Sequence, residues 1–95
     1  MMLPELDQFK AIVNQAIELE VDDQRLQAKV IEVKAMRRQH EGDREPFSVL
    51  IVTEEAEPLP QQIFRLHHQG LGTIDVFLVP IGPNGEGMAY EAVFT

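Results

Sequence analysis

Few side chains in this 95-residue sequence could do chemistry. The only serine, Ser48, sits in an apolar run without the flanking glycines of a nucleophile elbow, and Thr53, Thr73 and Thr95 have no better setting. The absence of cysteine removes thiolate nucleophiles, disulfide frameworks and Cys-ligated zinc together. His67 and His68 are adjacent, so in a strand their side chains point to opposite faces and do not easily share one metal. With His40 from a loop, three imidazoles would suit zinc, as would two with Asp75. The simpler expectation is one exposed and one half-buried histidine on an edge strand, with no metal, no cofactor and no catalytic residue.

The remaining chemical signals read as solvated loops. Asp22-Asp23 and Glu54-Glu55-Ala56-Glu57 lack the ligand spacing of a calcium loop. Paired carboxylates also serve glycosidases, but so short a chain offers no obvious cleft to desolvate one of them. Gly70 and Gly72, and the run Gly82–Gly87, neither precede a helix nor end in Gly-Lys-Ser/Thr, so they are turns and not phosphate cradles.

The elements that must position these residues follow from periodicity. Pro4, Glu5 and Asp7 suit a helix start, and Leu6, Phe9, Ile12 or Val13, and Ala16 share one face. A helix is expected over residues 4–14, with Asn14 as its C-terminal cap. The period then changes to two. Ile17, Leu19 and Val21 alternate with acids, and Leu26, Ala28 and Val30 alternate with Arg25, Gln27 and Lys29. A hairpin centred on Asp23-Gln24 would set Leu19 opposite Ala28 and Glu18 opposite Lys29. The phase slips between Val30 and Ile31, the mark of a β-bulge, and Ile31, Val33 and Ala35 then continue the apolar face to about Met36. Residues 37–46 are a polar loop.

Four more strands are expected, at Phe47–Thr53, Gln61–His68, Thr73–Ile81 and Met88–Phe94. Pro58 and Pro60 bar the intervening segment from a central strand, and Asn84-Gly85 signals a hairpin. The fold class is therefore all-β: one domain over residues 1–95, a small antiparallel six-stranded barrel or sandwich with a short N-terminal helix. An α+β roll is the alternative closure. Phe47–Thr53 and Thr73–Ile81 are apolar on both faces, so either the helix or a partner should cover the outer one. The aromatics fall about one per element, the distribution of a core, with the Tyr90 hydroxyl at the barrel rim.

Composition narrows function by exclusion. Sixteen acids against eight bases give a net charge of −8, which argues against nucleic acid. A hydrophobic content of 44% fits a folded chain, and no apolar run is long enough for a spanning helix, so no membrane role is expected. The first residues lack a signal-peptide pattern, which makes a cytoplasmic location the expectation. Six of the eight bases (Arg25, Lys29, Lys34, Arg37, Arg38 and Arg44) lie within one segment, a basic strip suited to an acidic partner. Glu32, Glu41, Asp43 and Glu45 intersperse it.

Several segments together resemble a bacterial family catalogued only as a domain of unknown function. They are Pro46-Phe47-Ser48 with Leu50, the run from Leu59 to His67 (LPQQIFRLH), Phe77 to Gly82 (FLVPIG) and Met88 to Phe94 (MAYEAVF). Phe9 and the strand Leu26–Val33 fit more loosely. Where that family shows a glycine before the first strand, this chain has Asn14-Gln15-Ala16. The resemblance implies no catalytic residue. It implies an accessory, chaperone or structural role beside phage-tail-like fibres, with a tail-fibre-like protein or the chain itself as partner.

The expectation is a non-catalytic structural or protein–protein interaction domain. Its surface would comprise Leu50, Val52, Val76 and Leu78 with the strip Arg25, Lys29, Lys34, Arg37 and Arg38, and a homo-oligomer is one form of the contact. The alternatives are a barrel holding a small apolar ligand and a small enzyme using His67 or His68 with Asp75.

Overall fold

The computed structural model describes residues 4–37 and 45–95. Helix α1 (Leu6–Lys10) is shorter than its periodicity suggests, with residues 11–14 turning out of the axis. Glu5 occupies the N-cap, its N–H donating to Gln8 Oε1 at 2.7 Å, so Pro4 stands before the cap and not inside the first turn. Asn14 ends the turn at φ 70° and donates its N–H to the Val30 carbonyl at 2.6 Å.

Six antiparallel strands follow: β1 (Ala16–Val21), β2 (Gln24–Ala35), β3 (Phe47–Thr53), β4 (Gln62–His68), β5 (Gly72–Asn84) and β6 (Gly87–Phe94). They close into a barrel in the order β1-β2-β3-β6-β5-β4, which settles the choice among barrel, sandwich and roll. Closure is shortest between β1 and β4, where Glu18, Leu19 and Glu20 pair with His67, Leu66 and Arg65.

The β1–β2 hairpin turns one residue earlier than its charge pattern suggested, which shifts the pairing register by two. Asp22 and Asp23 both take positive φ, 47° and 66°, and form a two-residue turn. Leu19 therefore pairs with Leu26, and Glu18 with Gln27, so Lys29 faces Ala16 instead of Glu18. The faces are unchanged, because a shift of two residues preserves parity.

The expected bulge lies between Val30 and Glu32. It keeps Val33 and Ala35 on the inner side, opposite Val49 and Phe47, and leaves Ile31 half-buried as the bulged residue. A second bulge, between Pro80 and Gly82, lets β5 carry two prolines to Asn84. Only Gly85-Glu86 then remains as the turn, with Gly85 at φ 62°. Gly87 packs against the end of β3, where a Cβ would meet the Thr53 carbonyl oxygen at 1.8 Å.

The interior is filled by side chains. Leu19, Val30, Val49, Ile51, Phe64, Leu66 and Leu78 are all fully buried there. Each such burial contributes roughly 1.5–3 kcal/mol. The two ends are closed differently. At one, Phe47 opens β3 beside Phe94 closing β6, their rings stacked at 4.9 Å, and Phe9 of α1 lies 5.9 and 5.3 Å from them. The helix thus plugs the barrel's end and does not cover its outer face.

At the other end, the segment between β3 and β4 must cross the mouth, because those strands lie opposite each other in the barrel. Leu59 packs on the core from this crossing loop, and its N–H donates to the Tyr90 hydroxyl at 2.9 Å. Tyr90 is therefore buried beneath the loop, edge-on to Phe64 at 5.7 Å.

Candidate docking surface

The outer wall has two unlike halves, and the register of each strand decides which residues form them. Over β1 and β4, with the adjoining ends of β2 and β5, the outward charged side chains are bonded to one another. Arg25 pairs with Glu18 and lies 3.8 Å from Glu20. His67 Nε2 meets Glu20 at 2.8 Å, and its Nδ1 meets the Thr73 hydroxyl at 3.0 Å. Arg65 meets Asp75 at 3.4 Å. A carboxylate only accepts, so the hydrogen on Nε2 is the one shared with Glu20. That bond, with the charges of Arg25 and Arg65 nearby, holds the Glu20 carboxyl below its ordinary value against a smaller opposing effect of desolvation.

Glu20, His67 and Thr73 thus form a carboxylate–imidazole–hydroxyl chain, which does not include Asp75. His68 is committed elsewhere, with Nε2 2.9 Å from Gln15 Oε1 and Nδ1 accepting the Gly70 N–H at 2.9 Å. Both imidazoles are half-buried, and their strand is paired on both sides, so neither sits on an edge. Asp75 bonds Arg65, not a histidine. No group of three His, Asp or Glu side chains is placed to hold a metal among the described residues, and His40 lies outside them.

Over β3, β6 and the part of β5 from Phe77 onward the wall is mainly apolar, with Ser48 at one end. Leu50 and Val52 are outward and half-buried. Beyond them stand Val93 at 51% exposure, Phe77 at 52%, Ile81 at 55% and, on β4, Ile63 at 63%. Ile63 and Phe77 are direct cross-strand partners. Val76 and Leu78, expected on this surface, are instead core residues at 2% and 0% exposure. Pairing of Phe64 with Val76 turns them inward and leaves Phe77 and Val79 outside.

The basic strip borders the apolar half along β2. Its bulge brings Lys34 onto the face of Lys29, which register otherwise forbids to an odd and an even position. Lys29 pairs with Val52, Glu32 with Leu50 and Lys34 with Ser48, so four of the expected surface residues, Leu50, Val52, Lys29 and Lys34, share the outer face of β2 and β3, with Glu32 between the two lysines. Between β1, β2 and β3 lies a groove of about 330 Å³ lined in part by Ala16, Lys29, Ile31, Val52 and Glu54. Arg25 is drawn into the charged half, Arg37 is exposed beyond the end of β2, and Arg38 and Arg44 lie outside the described residues.

Sequence reasoning missed Phe77, Ile63, Val93, Ile81, Val79 and Glu91. For Phe77, the available signal was that both parities of β5 are apolar, so one of them had to face outward. No helix among the described residues is long and apolar enough to cross a membrane.

A family model described as a domain of unknown function, DUF6916, matches residues 4–94, and the chain belongs to that family. No curated protein and no solved structure matches it.

Proposed function

We propose that this chain, within a family that carries no assigned activity, is a non-catalytic protein-interaction domain that docks through the apolar half of its outer wall. One observation carries the reading: Ile63, Phe77, Ile81 and Val93 are each more than half exposed on a barrel whose interior and ends are already filled. Contiguous exposed apolar surface is costly to keep and marks sites of association. Burial of that wall supplies affinity, and Lys29 and Lys34 along its border orient the partner.

The filled interior supports a wall contact over a ligand held inside the barrel. The commitment of His67, His68 and Asp75 to structural bonds supports a non-catalytic role. A structural or accessory role beside phage-tail-like fibres is the narrower form of this proposal and rests on the resemblance of the motifs alone.

Light scattering and partner binding with Leu50→Asp and Phe77→Asp test it. Both variants should keep the wild-type circular dichroism and melting profile while losing association, whereas Val76→Asp should fail to fold. Global unfolding of Leu50→Asp and Phe77→Asp would make those residues core and overturn the reading.

A further inference from the structure

Glu91 is the exception in the apolar wall. Across the strands it faces Leu50 on one side and Val79 on the other. Along β6 its neighbours on the same face are Ala89 and Val93, since outward positions recur every second residue. It is half-buried, and among the described residues no Lys, Arg or His forms an ion pair with it. A partner that covers this wall removes water from the carboxylate. Desolvating an unpaired carboxylate opposes binding strongly, so a productive partner must bring a compensating cation to that point.

Resting on the docking reading above, we infer that the partner is a protein surface, apolar at its centre except for one Lys or Arg that meets Glu91. A second copy of this chain fits less well. A two-fold contact centred here would set Glu91 against Glu91 and join two chains of net charge −8. The same logic gives the wall its selectivity, because an apolar surface without the cation leaves Glu91 buried and unpaired.

The test uses the full chain and two labelled amphipathic peptides, read by fluorescence anisotropy. Each has a leucine face and neutral polar residues, and they differ only in a single Lys or Glu at the centre of that face. The wild type should prefer the Lys peptide by about tenfold. Glu91→Lys should reverse the preference, Glu57→Lys on the crossing loop should leave it unchanged, and Phe77→Asp should weaken both peptides.

Equal binding of the two peptides, or a preference indifferent to Glu91→Lys, would overturn the cation while the Phe77→Asp loss kept the docking wall. Binding indifferent to Phe77→Asp, or no binding of either peptide, would overturn the wall itself. A concentration-dependent doubling of mass abolished by Phe77→Asp would give the wall to a second copy and overturn the inference.

Discussion

Glu20 shows how one side chain joins the fold to its solvent conditions. It sits at the three-pair seam that closes the barrel, bonded to His67 across that seam and flanked by Arg25 from the next strand. Its folded pKa lies below the ordinary 4.5, chiefly because His67 donates to it, so the ionised form is favoured by folding. The corresponding stability is fully present above pH 4.5 and is lost as pH falls through the lower folded value. Thermal melts of wild type and Glu20→Gln should therefore differ by a constant amount near neutrality and converge below pH 4.5. Parallel curves across that range would remove Glu20 from the seam. The sequence showed Glu20 and His67 as residues but not as partners, since 47 positions separate them and only barrel closure brings them together.

At the scale of elements, the β1–β2 hairpin is where local chemistry and register meet. Alternation made both strands legible, and charges placed opposite one another suggested the register. The turn overrode the charges: two aspartates accept the positive φ that a two-residue connection requires, and Leu19 then pairs with Leu26. Aspartate tolerates that conformation less readily than Asn-Gly, and it adds two like charges beside Glu20. Asp22→Asn with Asp23→Gly should stabilise the protein by about 1 kcal/mol, seen as a raised denaturation midpoint at unchanged slope. A neutral or lower midpoint would mean the aspartates serve something besides the turn. The bulge after Val30 was legible as a break in phase, yet its consequence was not. It places Lys34 on the face of Lys29, with Glu32 between them, and sets Ile31 at the groove beside Val52.

For the whole molecule, the decisive fact is that the helix closes an end. Phe9 is fully buried against Phe47 and Phe94, so α1 completes the core and leaves the outer wall uncovered. Phe9→Ala should cost about 3–5 kcal/mol, a large share of a small domain's stability, and a chemical melt would show it directly. A loss below 1 kcal/mol would mean that the barrel holds without its plug. The sequence by itself determined the six strands, the leading helix, the first bulge and the all-β class, because these follow from spacing within a few residues. Tertiary structure alone decided which face of β5 is core, where the helix lies, and that Glu91 stands in an apolar wall. Where Val76, Phe77, Leu78 and Val79 are all apolar, alternation has no preference, and the inward side is set by pairing with Phe64 on a neighbouring strand. Such choices depend on contacts between distant segments, which local periodicity does not encode.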